Sequence, residues 1–139
     1  MSLTGQLIDQ LRRDEGWKHR AYQDSRGVWT IGCGHNLEST PITDEAIERI
    51  LMDDLEDVLL RCRRFPWWVS LSEARQGVVV NMAFNLGLGG FSGFRRMIDA
   101  LVEGDWNRAA DEMLDSEWSE QVGARAQRLA IQMRSDEWQ

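Results

Sequence analysis

Two carboxylates and a hydroxyl stand close together early in the chain, within the stretch EGWKHRAYQDSRGVWTIGCGH that runs from Glu15 to His35. Glu15 closes a short apolar-periodic segment that Gly16 stops. It therefore sits at a helix C-terminal end, where the helix dipole disfavours a negative charge. Packed against a sheet, such an acid is partly desolvated and its pKa rises. Asp24 opens a turn, Asp24-Ser25-Arg26-Gly27, and should stay solvated and ionised. Two carboxylates in unlike environments are how acid and base roles become divided. Hydrolysis of a glycosidic bond needs that division: a protonated acid for the leaving oxygen, and a carboxylate that activates water or attacks the sugar. Thr30 follows Asp24 at an even spacing, which in an unbulged hairpin puts both side chains on one face. Its hydroxyl could then help hold a water, although a bulge at Gly27 would break the parity. Taken by spacing alone, a surface Glu, a turn Asp and a strand Thr account for the pattern more readily than a site does.

The elements that would position these residues can be read in order. Residues 4–14 repeat apolar groups at Leu7, Ile8 and Leu11, a short amphipathic helix. Ala21-Tyr22-Gln23 and Val28-Trp29-Thr30-Ile31 flank the turn as two strands. Gly32 and Gly34 around Cys33 make a second bend before a short third strand, His35-Asn36-Leu37. Thr43, with Asp44 and Glu45 behind it, starts a helix over about 43–63, with an apolar seam of Ile47, Leu51, Leu55, Val58 and Cys62. That helix would run about 31 Å, long enough to join two lobes. Ser72 caps a segment whose core, Gly77 to Phe84, is apolar nearly all round and reads as a buried central helix. Gly87, Gly89, Gly90 and Gly93 predict a flexible loop. Helices follow over 94–103, 105–115 and 122–134. The fold class is α+β, one domain: a sheet lobe over about 15–40, a connecting helix over about 43–63, and a helical lobe over about 70–139 that also takes in the N-terminal helix 4–14.

Composition narrows the partners. The net charge is −7, and nucleic-acid binding normally needs a basic face, so no nucleic-acid partner is expected. The first forty residues balance their charges while the remainder carries the acidic excess. An anionic polymer would meet least repulsion at the opening stretch. Seven Trp is a high number for this length and makes a sugar or aromatic ligand more plausible. Trp17 and Trp29 can be read equally as sugar contacts or as core. Two scattered cysteines, Cys33 and Cys62, resemble a reduced protein more than a disulfide scaffold, and Cys33 between two glycines reads as packing rather than as a nucleophile. With two histidines and no cysteine cluster beside them, neither a metal nor another cofactor is expected. No apolar run approaches a membrane span, so no membrane insertion is expected, and no signal peptide is visible at the N-terminus.

The pattern E-G-x-x-x-x-A-Y-x-D-x-x-G-x-W-T-I-G-x-G-H resembles the signature of the phage-type lysozymes, the T-even phage lysozyme group of glycoside hydrolases. The likeness runs over nearly the whole chain. Asn81-Met82-Ala83-Phe84-Asn85-Leu86-Gly87 is similar to that family's buried helix and cleft-edge loop, Gly93-Phe94 to the start of its next helix, and Ser116-Glu117-Trp118 and Arg125-Ala126-x-Arg128 to its C-terminal part. The resemblance implies a lysozyme-like fold and a catalytic triad of Glu15, Asp24 and Thr30. Glu15 would be the general acid, with Arg125 its cation across the lobes. Asp24 would be the base that orients water, with Thr30 as its partner. It also implies His35 as an ion-pair partner of Asp54, with Asp53 second, and a substrate cleft touched by Trp29, Asn85, Leu86, Gly87, Arg26 and Glu117. The implied reaction is inverting hydrolysis of peptidoglycan between N-acetylmuramic acid and N-acetylglucosamine, with a gap between the carboxylates wider than the ~5–5.5 Å of retaining enzymes. The implied setting is a monomer made in the bacterial host cytoplasm that reaches the wall after holin-dependent release.

The chain also departs from that pattern. The link between sheet and long helix is short, about residues 37–43. Arg26 and Glu117 stand where the T-even group carries an acidic and a basic residue, so a salt bridge of reversed polarity is implied at the cleft mouth. The acidity is unusual for a protein drawn to anionic walls. Two other functions fit parts of the pattern. A lytic transglycosylase needs only the acid, and Asp24 with Thr30 argues against it. A wall-binding module without turnover needs none of the three.

Overall fold

In a computed structural model, which describes residues 2–139, the chain is α+β: three antiparallel strands and seven α-helices. It divides into two compact units, Met1–Arg49 and Ile50–Gln139.

The first unit holds α1 (Leu3–Glu15) and the sheet β1 (Lys18–Gln23), β2 (Trp29–Gly32) and β3 (His35–Asn36), in the order β1-β2-β3. Ser2 caps α1 by accepting the Gly5 N–H at 3.1 Å, and Gly16 ends it by donating its N–H to the Arg12 carbonyl at 3.1 Å. The β1–β2 register sets Tyr22 against Thr30 and Gln23 against Trp29, and an irregularity lies between Lys18 and Tyr22. That irregularity lets β1 begin earlier than its sequence pattern indicates, with Lys18 opposite Gly32. α2 (Asp44–Cys62) starts where Thr43 Oγ1 accepts the Ala46 N–H at 3.2 Å, and the boundary between the units falls inside it.

The second unit contains the core. α3 (Glu73–Ser92), α4 (Arg95–Glu103), α5 (Trp106–Leu114), α6 (Glu117–Val122) and α7 (Ala124–Ser135) follow a 3-10 turn at Trp68–Ser70. α7 is the hub, with α3, α5 and α6 packed on it and α4 packed on α5. Val78, Val79, Met82, Phe91, Met97, Leu101, Met113 and Met133 are fully buried. Four of them are methionines, unbranched side chains that fill the irregular gaps between short helices. Removing a ring such as that of Phe91 would cost about 3–5 kcal/mol. Of the α2 seam, Cys62 is buried and Leu55 and Val58 are half-buried against this core, whereas Ile47 and Leu51 are exposed.

The sequence pattern and the fold part ways in two places. The glycine-rich segment expected to be a flexible loop is helical after a single break at Gly87 (φ +77°), because buried Phe91 anchors the turn beyond it. The central helix is also less uniformly buried than its composition indicates, with Asn81 and Phe84 facing solvent.

Candidate active site

The best-defined part of the site is the hairpin between β1 and β2. Asp24 donates its own N–H to the Val28 carbonyl at 2.9 Å, and Gly27 donates to the Asp24 carbonyl at 2.9 Å. These bonds close a three-residue loop, Ser25-Arg26-Gly27, in which Gly27 takes φ +76°, a conformation that glycine adopts without steric cost. The Asp24 side chain finishes the turn. Its Oδ1 accepts the N–H of Arg26 at 2.8 Å and of Val28 at 3.0 Å. Those two bonds, Val28's first, hold the Asp24 carboxyl below its ordinary pKa, with a small further push from the Arg26 charge against some desolvation. Arg26 Nη2 lies 3.9 Å from Asp24 Oδ2, a loose and exposed ion pair that adds little energy.

The register keeps the parity the sequence required. Tyr22 faces Thr30, Gln23 faces Trp29, and the Asp24–Val28 bond carries the ladder to a second pair beyond Tyr22–Thr30, so Asp24 and Thr30 share a face. Thr30 is only 4% exposed, and its hydroxyl donates to the Val28 carbonyl at 2.9 Å. Its proton is therefore committed and its oxygen lone pairs are what it can offer to a water. Val28 thus serves both residues. Nothing in the sequence marks it for this double role, because an apolar residue at the start of a strand is ordinary.

Glu15 is the last residue of α1, as its spacing predicts, but it is exposed. The sheet does not supply the desolvation expected of it. Its carboxyl instead lies along the bend at Gly34. Trp17 and Trp29 are each about half exposed, 49% and 47%, so neither is core. One face of Trp17 is covered by the Arg12 guanidinium, 4.2 Å from the ring centroid. The Trp29 backbone N–H donates to Glu38 Oε2 at 3.1 Å. His35 is half-buried, and its Nε2 has no hydrogen-bond partner among the described residues. Both cysteines are free, with Cys33 half-buried and Cys62 buried.

In the second unit, Arg125 Nε donates to Asn81 Oδ1 at 2.9 Å and Arg125 Nη2 to the Asn81 carbonyl at 3.2 Å. The guanidinium is thereby fixed on α3. Asn85 Oδ1 accepts the Trp118 indole N–H at 2.8 Å, which ties α6 to α3 two residues before the break at Gly87. Leu86 is half-buried, and Asp54 and Glu117 are exposed, Glu117 in the first turn of α6.

This fold, with a helix-end glutamate and a hairpin aspartate, is that of a lysozyme-like protein. The sequence model described as Phage lysozyme matches residues 12–137, and the chain belongs to the phage lysozyme family. Its relatives include the pre-baseplate central spike protein Gp5 of Enterobacteria phage T4, 30% identical over 90% of this chain. The chain spans only 27% of that protein's length. A probable T4-type lysozyme 2 of Dictyostelium discoideum is 26% identical, with 91% of this chain and 92% of the relative aligned. An endolysin of Salmonella phage P22 is 30% identical over 82% of each chain. Family membership makes this a lysozyme-type glycoside hydrolase.

Proposed function

We propose that the protein is an N-acetylmuramidase that hydrolyses the β-1,4 bond between N-acetylmuramic acid and N-acetylglucosamine in peptidoglycan, with inversion. In this reading Glu15 protonates the leaving oxygen. Asp24, kept ionised by two backbone N–H groups, orients and deprotonates the attacking water, and the Thr30 oxygen accepts a hydrogen bond from it. Beyond these three, the residues assigned a part in this reading are Trp29 and Arg26 in the first unit and Arg125, Asn85, Leu86, Gly87 and Glu117 in the second. The observation that carries the reading is the shared face of Asp24 and Thr30, with the aspartate held below its ordinary pKa. A group meant to receive a proton from water must begin ionised.

Mass spectrometry of muropeptides after digestion tests this. The wild type should release fragments with reducing N-acetylmuramic acid ends, and Glu15→Gln should release none. Products with 1,6-anhydro ends would identify a lytic transglycosylase instead. Unaltered walls with both proteins would identify a binding module.

A further inference from the structure

We propose that Gly34 is a positioning residue for Glu15, and that the side chain Gly34 lacks is the space in which the Glu15 carboxyl rests. A Cβ built at Gly34 would stand 3.0 Å from Glu15 Oε2, 3.2 Å from Cδ and 3.3 Å from Cγ. All three contacts fall on the working end of one side chain, and they are tighter than nine in ten real Cβ contacts. Glu15 and Gly34 lie far apart in sequence, one at the end of α1 and the other in the bend before β3. The bend therefore braces an acid that the helix presents.

Gly32 shows that this contact is separate from the backbone requirement. Both glycines of the bend have left-handed φ, +68° at Gly32 and +71° at Gly34. A Cβ at Gly32 meets nothing within 4 Å. Any side chain at either position strains the turn, but only one at Gly34 also moves the acid. A general acid works within a hydrogen bond's reach of the oxygen it protonates, and a shift of about 1 Å can cost on the order of 10²-fold in rate. The inference rests on the reading of Glu15 as that acid.

The test compares Gly34→Ala with Gly32→Ala in purified full-length protein on soluble peptidoglycan fragments, with rates corrected for the folded fraction. Gly34→Ala should lower kcat about tenfold below Gly32→Ala with KM unchanged within about twofold, since the brace acts on the acid rather than on substrate binding. Its pH–kcat profile should differ on the basic limb from that of the wild type, because the displaced carboxyl no longer rests against the bend. Gly32→Ala should leave that limb in place. Should alanine at positive φ prevent folding, Gly34→Asn and Gly32→Asn repeat the comparison, because asparagine tolerates the left-handed region while still bringing a Cβ. Equal kcat values and an unmoved limb in the two variants, with Glu15→Gln inactive, would overturn the positioning role alone. A fully active Glu15→Gln would overturn the assignment of Glu15 as the acid, and the positioning role with it.

Discussion

The Asp24 carboxylate accepts the backbone N–H of Val28 at 3.0 Å, so one side chain both builds the hairpin turn and supplies the base proposed for the reaction. The two roles come apart under substitution. Asn at position 24 keeps an Oδ1 that can accept the same N–H groups but cannot take a proton. Asp24→Asn should lower kcat by about 10²–10⁴-fold, the range for loss of a general base, with a melting temperature near wild type. Asp24→Ala should be as inactive and should melt lower. The pH dependence has a definite sign. The folded pKa is depressed below the ordinary value of 3.8, so this carboxylate contributes stability above that pH and loses it as the pH falls through the depressed value. Thermal melts taken down through pH 3.8 should therefore fall more steeply for wild type than for Asp24→Asn.

The two thiols should differ sharply in reactivity. Cys62 is fully buried, and desolvation pushes its pKa up, so little thiolate is present and no reagent reaches it. Cys33 is half-buried in the bend between Gly32 and Gly34. A disulfide reagent at neutral pH should titrate one equivalent in the native protein and the second only after denaturant is added. Cys33→Ser should abolish the fast phase.

The elements legible in the sequence are those whose determinants lie within about four residues. Ser72 accepts the Arg75 N–H at 3.3 Å and Asp105 the Arg108 N–H at 3.1 Å, so each helix start is written beside its cap. The hairpin was equally plain, since Asp24, Gly27 and Val28 settle its turn among themselves. α6 is not legible because six residues are too few to show a period, although Ser116 caps it by accepting the Ser119 N–H at 3.1 Å. The turn beyond Gly87 reads as a loop because its glycines disfavour helix, and only the burial of Phe91 reverses that. In the proposed site, Glu15, Asp24 and Thr30 stand out by residue type and motif. The approach of Glu15 to Gly34 and the double role of the Val28 carbonyl do not, because each depends on contacts that only the folded chain makes.

Arg75 gives the second unit a prediction about how its C-terminus is held. Its Nε donates to the Met133 carbonyl at 2.8 Å and its Nη2 to the Arg134 carbonyl at 3.2 Å, while the guanidinium lies 4.4 Å over the Trp106 ring. Those carbonyls belong to the last turn of α7, where a cation is favoured by the dipole. The side chain is only 12% exposed, so the pairing is desolvated and salt should affect it little. Arg75→Ala should cost about 2–3 kcal/mol in chemical denaturation, as for hydrogen bonds from a charged donor. Arg75→Lys should recover less than half of that, because an ammonium can neither span both carbonyls nor stack flat on the indole.

The bond from the Trp118 indole N–H to Asn85 Oδ1, 2.8 Å long, joins α6 to α3. Trp118 is 4% exposed, and the Phe94 ring meets it edge-on with centroids 6.1 Å apart. Trp118→Phe keeps most of the apolar contact and removes the donor, so it should cost about 1–2 kcal/mol. Asn85→Ala should cost a similar amount by leaving the nearly buried indole N–H without a partner. If the bond is the term that matters, the double variant should lose distinctly less than the two single costs added together, with a coupling of about 1 kcal/mol in a denaturation cycle. Strict additivity would mean that the hydrogen bond contributes nothing of its own to holding α6 in place.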